Sequence, residues 1–365
     1  MRSLVIPTFR RIYTASPLFC NPAPLLQQLG IYGHSYVSSG GVVHLPENFL
    51  GKRVPSLRSV KLYCICPTLE SPFPLPNLTE FYISLDSTTP FRVGALFLFF
   101  SESPLLQKVD VTAYGRSVQD VSLDKVISLE SLVELSCYCN CASQIIPFLR
   151  LPRLKRLRVA SLEPIQAQTL ANILPHGGRA LLARVTKLRY DSNQQTPSRS
   201  IELTGDEVYV SLYALPATAD ATVVDWPPDQ TYIPFGQVED LKFGQDPPTG
   251  RPIDVFAFDN LRILRVVPWD GEFTGEHLRS LHPDTGAAKI PCRSFQEIEV
   301  DYAYSEFRAP LPELLVSLVR ERKQAGCQLR LVSLVVEYDR SRRDFMEELK
   351  EHVREVRVRA WGSGV

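Results

Sequence analysis

At 365 residues, with 44% hydrophobic and 22% charged side chains, the chain has the balance of a folded protein and exceeds one ordinary core. Two domains, one large sheet fold or a stack of repeats remain. Its 40 basic and 40 acidic residues cancel, so no global field draws it to nucleic acid or an anionic membrane.

From the N-terminus, Arg2, Arg10 and Arg11 with no acid before Glu47 resemble a transit peptide in composition. Pro7, Pro17, Pro22 and Pro24 would break the amphipathic helix such a peptide needs, and Met1, Leu4 and Ile6 already fit a strand. From there one pattern returns: apolar, two variable residues, apolar, one variable residue, apolar. Copies begin at Leu26, Leu57, Leu78, Leu106, Leu132, Leu154, Val185, Val238, Leu261, Phe295 and Val353, with a weaker one at Leu331. The steps from Leu57 to Leu78 and from Leu132 to Leu154 fall within the roughly 20–29 residues of a leucine-rich repeat. The step from Val185 to Val238 is more than twice as long, leaving room for an irregular insertion or extra strand over 192–236, near Val208 to Leu212.

Helices are expected between strands at Val93–Phe100, Ile165–Leu174 and Leu311–Arg322, the last with Leu314, Leu315, Leu318 and Val319 on one stripe. Residues 304–365 read as a helix and strand cap in which Glu355, Arg357 and Arg359 discourage edge pairing. The fold class is therefore α/β: one leucine-rich-repeat-like solenoid over 1–365, with a curved parallel sheet on the concave side and helices and irregular segments on the convex side. One unit cannot cover its own apolar face, but stacked units can.

Period two points the variable strand residues away from that core. They are the candidate partner-binding surface: Lys61, Tyr63, Glu80, Tyr82 and Tyr138, then Arg156, Arg158, Lys187 and Arg189, then Glu297, Glu299 and Asp301. Read in order they suggest a face that is basic at its middle and acidic later, selecting a partner of complementary charge.

Signals of chemistry are sparse. The sequence contains no serine elbow, phosphate loop, dinucleotide fingerprint or His-Glu-x-x-His helix, so no catalytic residue or cofactor is expected. Eight cysteines without a Cys-x-x-Cys pair argue against zinc, and Cys137, Cys139 and Cys141 read as strand. With no secretory signal, reduced thiols in the cytoplasm or nucleus are expected. His176-Gly177-Gly178 reads as the end of a helix rather than an oxyanion loop, and His277 and His282 as surface residues. Asn77-Leu78-Thr79 is a sequon on a repeat strand, where glycosylation is not expected. The longest apolar run, Val93 to Phe100, is far short of the roughly 20 residues of a membrane helix.

The segment Leu45 to Ser84, LPENFLGKRVPSLRSVKLYCICPTLESPFPLPNLTEFYIS, resembles the repeat region of the F-box leucine-rich-repeat proteins expanded in mushroom-forming fungi. SESPLLQKVDV, VISLESLVEL, FLRLPRLKRLRV and the tail from Leu311 to Trp361 are similar to it too. The resemblance implies a ligand-recruiting arm of a cullin-type ubiquitin ligase, with another protein as partner. The ligase adaptor would be a partner only through an N-terminal F-box, which this chain does not contain, so a truncated N-terminus is expected. The competing readings are a carbohydrate-active enzyme using Glu297, Glu299 and Asp301, a nucleic-acid binder using the basic middle, which neutral total charge disfavours, and a truncated, non-functional product.

Overall fold

The computed structural model describes residues 2–9, 21–33, 49–65, 75–85, 91–113, 117–118, 126–139, 142–161, 174–193, 198–214, 235–243, 258–267, 278–279, 281–283, 292–301, 311–336 and 343–360. In chain order the strands are β1 (Ser3–Phe9), β2 (Gln28–Gly33), β3 (Ser59–Tyr63), β4 (Glu80–Leu85), β5 (Phe91–Arg92), β6 (Lys108–Ala113), β7 (Ser117–Val118), β8 (Ile127–Ser128), β9 (Glu134–Cys139) and β10 (Leu149–Arg150). There follow β11 (Arg156–Ser161), β12 (Val185–Asn193), β13 (Ser198–Gly205), β14 (Val208–Ala214), β15 (Asp240–Phe243), β16 (Ile263–Val266), β17 (Glu297–Asp301), β18 (Leu331–Val336) and β19 (Glu355–Ala360). Fifteen of them make mostly parallel sheet and, among the described residues, helices are few, so the chain is a mixed α/β protein.

It divides into two compact units, Met1–Leu181 with Tyr209–Ala217, and Leu182–Val208 with Thr218–Val365. In the first unit the strand order is β1-β2-β3-β4-β6-β9-β11-β14. Its inward positions fall in register: Leu29, Val60, Phe81, Val109, Leu135, Leu157 and Val210 form one row. Ile31, Leu62, Ile83, Val111, Cys137, Val159 and Leu212 form the next, and every member of both rows is buried. At roughly 1.5–3 kcal/mol for each fully buried aliphatic or aromatic side chain, these rows supply the unit's main driving force. Cys137 and Cys139 both point inward with their Sγ atoms 3.3 Å apart, as the strand reading requires; Cys141 lies outside the described residues. The expected helix at Val93 forms as Val93–Ser101 and buries Phe97, Phe99 and Phe100. Its Phe99 ring sits 4.2 Å from Phe81 and its Phe97 ring 6.4 Å from Phe148, so the helix is apolar on nearly every side because it is covered on two.

Strand entry repeats in detail. The Leu78 amide donates to the Leu75 carbonyl at 3.0 Å, and the same four-residue turn recurs at Leu57 to Val54, Leu132 to Leu129, Val238 to Phe235, Leu261 to Phe258 and Phe295 to Cys292. Val54, Leu75, Leu129, Phe235, Phe258 and Cys292, which open these turns, are buried. In these six copies a further apolar position lies three residues ahead of the pattern read from sequence, whereas the same turn before Leu106 opens on a buried serine, Ser103. Next, two successive amides share the carbonyl just ahead of the neighbouring strand: Thr79 and Glu80 on Arg58, Val133 and Glu134 on Gln107, Gln296 and Glu297 on Arg262. A carbonyl's two lone pairs allow this sharing. Asn77 Nδ2 donates to the Pro55 carbonyl at 2.7 Å and Asn260 Nδ2 to the Gly236 carbonyl at 2.6 Å, so the asparagine of the sequon ties one turn to the turn before it.

In the second unit the order is β13-β12-β15-β16-β17-β18-β19, with β12 and β13 antiparallel and the remaining described pairs parallel. The region 192–236 supplies β13 and β14, two strands where one extra was expected; residues 215–234 lie outside the described residues. The weak copy at Leu331 is shifted by two residues: Leu329, Val332 and Leu334 are the inward set, in register with Ile298 and Val300. Gly205 faces Val185, where the register slips before Lys187, and a Cβ on it would stand 1.7 Å from the Arg184 carbonyl oxygen. Only glycine fits that bulge.

The helix Leu311–Gln324 buries Leu315, Leu318, Val319 and Arg322. Arg322, fully buried, donates from Nη1 to the Leu281 carbonyl at 3.1 Å and from Nη2 to the Cys292 carbonyl at 2.9 Å, and its guanidinium lies 5.2 Å from the Phe295 ring centroid. The helix Arg343–His352 is tied to it by Arg320 with Glu348 and by Lys323 Nζ on the Glu351 carbonyl at 2.7 Å. In β19, Glu355, Arg357 and Arg359 are exposed as expected, while Val358 is 52% exposed rather than covered. The helix expected over Ile165–Leu174 lies outside the described residues apart from Leu174. At His176-Gly177-Gly178 the structure shows the start of the helix Arg179–Leu182, with Gly177 in the left-handed region at φ +79°.

Candidate functional site

The outward face of the first unit is built from three rows fixed by strand register. Nearest the turns run Glu80, Lys108, Glu134, Arg156 and Tyr209; next Lys61, Tyr82, Asp110, Ser136, Arg158 and Ser211; then Tyr32, Tyr63, Ser84, Thr112, Tyr138, Ala160 and Tyr213. Five proposed residues, Tyr63, Tyr82, Tyr138, Arg156 and Arg158, stand here together with Lys61 and Glu80. Tyr32, Asp110, Tyr209 and Tyr213 complete the face. Tyr32 and Asp110 occupy the same variable positions as the residues singled out from sequence and follow from the same rule, whereas Tyr209 and Tyr213 ride on β14, whose pattern is weak.

The tyrosines form a stack. Tyr32 and Tyr63 have ring centroids 4.3 Å apart with planes 8° from parallel, and Tyr82 lies 4.9 Å from Tyr63 at 40°. Such ring pairs are worth about 0.5–1.5 kcal/mol beyond area burial. Burial pushes the Tyr63 phenol up to about 12, helped by the adjoining Tyr82 and Tyr32 phenols and their hydrogen bonds to it. Tyr63 therefore stays neutral at physiological pH.

Cations on this face are largely committed. Glu134 binds Lys108 at 3.3 Å and Arg156 at 2.9 Å, and the Arg158 guanidinium lies 5.7 Å from the Tyr209 ring centroid. Asp110 differs. Its pKa is raised chiefly by burial, against the opposing effects of Thr112, Lys108 and Arg158, and its hydrogen bond from Thr112 Oγ1 is long at 3.5 Å. Among the described residues no cation comes within ion-pair distance of it.

The second unit places Lys187 and Arg189 on β12 and Glu297, Glu299 and Asp301 on β17, all facing outward. Lys187 is in register with Asp240, Arg189 with Lys242, Lys242 with Arg265, and Arg265 with Glu299. Arg265 bridges Asp240 at 3.1 Å and Glu299 at 3.8 Å; Glu297 pairs with Arg330, and Arg189 with Glu202 at 3.8 Å. Burial dominates at Asp240 and raises its pKa even beside Arg265.

The charge sequence along the chain is therefore not the charge sequence in space. β11 pairs with β9 and β14, and β12 with β13 and β15, so Arg156 and Arg158 do not stand on a rung next to Lys187 and Arg189 but in a different unit. Within each unit acids and bases alternate as local pairs, each worth about 0–1 kcal/mol at the surface. Two members of the acidic trio, Glu297 and Glu299, are held by arginines.

His282 is half-buried rather than a surface residue: its Nδ1 lies 2.8 Å from Glu321 Oε2. Burial, which would raise the Glu321 pKa, is outweighed by hydrogen bonds from His282 and Ser317 and by the charges of His282 and Arg320, and the carboxyl sits below its usual range. His277 lies outside the described residues. Among the described residues no group of three or more His, Cys, Asp and Glu side chains could hold a metal ion, and no helix is long and apolar enough to cross a membrane. No protein-family model matches the sequence, and no curated protein matches it.

Proposed function

We propose that the chain is a leucine-rich-repeat-like solenoid whose outward sheet face recognises another protein. The observation that carries this is the repeated strand entry: the same turn, the same shared carbonyl and the same inward apolar set return in both units. That repetition leaves the same strand positions outward each time, and in the first unit they gather tyrosines and arginines, the residue types enriched at protein–protein hot spots. Stacked tyrosines lose little side-chain entropy on binding, which favours them as anchors.

The resemblance to F-box proteins adds a narrower reading, that the recognised protein is a ubiquitylation substrate. The test is affinity purification of the tagged full chain from its own cells, compared with a Tyr63→Ala, Tyr82→Ala double variant and an Arg156→Glu, Arg158→Glu double variant, each checked for folding by circular dichroism. Loss of the same partner from folded variants is expected; equal recovery would remove the proposal. Recovery of a ligase adaptor and cullin with that partner supports the narrower reading, and their consistent absence discards it.

A further inference from the structure

The first unit's outward face has a floor between two aromatic walls. Tyr82 and Asp110 are register partners on β4 and β6, and Asp110 and Ser136 on β6 and β9. One step further along the strands, Ser84, Thr112 and Tyr138 are partners in turn. With strands about 4.8 Å apart and alternate residues about 6.7 Å apart, Tyr82 and Tyr138 stand about 12 Å from each other across the sheet. Ser84, Asp110, Thr112 and Ser136 between them are all short, so the two tyrosine positions flank a low strip of sheet. A Cα separation of about 12 Å leaves room for an aliphatic stem or a guanidinium plane above that strip.

We propose that this trough receives a lysine or arginine side chain of the partner protein, with the Asp110 carboxylate as its counter-ion and Tyr82 and Tyr138 as its walls. The inference rests on the reading that this face binds a protein, and names what part of the partner it selects. Charge complementarity favours a cation there. Lys108 and Arg156 are held by Glu134, Arg158 lies over Tyr209, and Lys61 stands on the far side of Tyr82. Asp110, half-buried and without an ion pair among the described residues, is left facing the trough. A neutral or acidic side chain placed over it would desolvate the carboxylate without a partner, whereas a cation pairs with it and gains attraction from the ring faces. The raised pKa of Asp110 reports the same desolvation.

A displayed library of random 12-residue peptides, selected on the immobilised full chain, tests this. Enriched peptides are expected to share a lysine or arginine. Replacing that residue by norleucine or citrulline in the synthetic peptide should weaken binding to the wild-type chain by about tenfold or more, the size of loss when a desolvated charge pair is broken. Asp110→Asn should abolish the difference between the cationic and neutral peptides, and Tyr138→Ala should weaken the cationic peptide alone. Enriched peptides that lack a basic residue, or a cation preference unchanged in folded Asp110→Asn, overturn the cation site and leave the protein-binding face standing. Selection that enriches no peptide on the wild-type chain overturns both.

Discussion

Replacing Arg322 by methionine removes two hydrogen bonds from a fully buried guanidinium to the Leu281 and Cys292 carbonyls, and its stacking on Phe295. Each bond to a charged donor is worth about 1.5–3 kcal/mol, and the ring contact about 0.5–2 kcal/mol. Against them stands the cost of holding a cation out of water, several kcal/mol for an ion, which also appears as a pKa pushed below its usual value by burial. Methionine fills the volume of the stem and carries no charge, so the net loss should be about 2–4 kcal/mol, most of it the penalty of two stranded carbonyls. Lysine keeps the charge and the desolvation cost but cannot present two parallel donors, and should destabilise more than methionine does. Because the chain has two units, a single melting temperature would mix their responses. Hydrogen exchange in peptides covering Leu281 and Cys292 to Phe295 isolates the local opening, supported by urea unfolding of the whole chain. Methionine matching wild type, or lysine restoring wild-type protection, would refute the reasoning.

Gly205→Ala should cost on the order of 2–3 kcal/mol, since the new methyl meets the Arg184 carbonyl and the bulge must shift; equal urea midpoints would contradict it. Asn260→Ala should cost about 0.5–1.5 kcal/mol by losing the bond to the Gly236 carbonyl, and Asn260→Asp more, because a carboxylate then faces that carbonyl. If aspartate proves as stable as asparagine, that bond is not what holds the turns together. Phenolate absorbance followed with rising pH should show a late step near pH 12 that Tyr63→Phe removes. The sign follows from proton linkage: the folded phenol titrates above the ordinary 10.0, so its stabilisation is intact below pH 10.0 and is lost as pH rises toward about 12. A double variant, Tyr32→Ala with Tyr82→Ala, should bring the Tyr63 step back toward ordinary tyrosine, and an unmoved step would show that the stack is not its cause.

The inward set was legible because it depends on a single local rule. Period two within a strand and a recurring Leu-x-x-Leu-x-Leu spacing pick out Leu57, Val60 and Leu62 or Leu106, Val109 and Val111 without reference to any other part of the chain. All are buried. The position opening each turn escaped because its chemistry varies, from Leu75 through Phe258 to Cys292, and the constraint on it is the i to i+3 hydrogen bond rather than a residue type. The copy at Leu331 sits two residues off the inward set for a related reason. β18 is buried on both faces, with Leu331 8% and Ser333 4% exposed, and a strand without an exposed side has no alternation to read.

The outward face was legible residue by residue and not as a field. Which side chains leave the sheet follows from the strand's own period, but which charges meet is decided by strand order, and the hairpin of β12 and β13 interrupts that order in a stretch of chain whose apolar pattern is weak. Reading Arg156, Arg158, Lys187 and Arg189 as one basic patch assumed that consecutive patterns occupy consecutive rungs. With β14 beside β11, the neighbours of Arg158 become Ser136 and Ser211, and the guanidinium turns to Tyr209. The same logic explains why Asp110 stands out only in three dimensions. In the sequence it is one acid among 40; in the sheet, what sets it apart is that Lys108 and Arg158 act on it only from a distance, with no ion pair at contact range among the described residues.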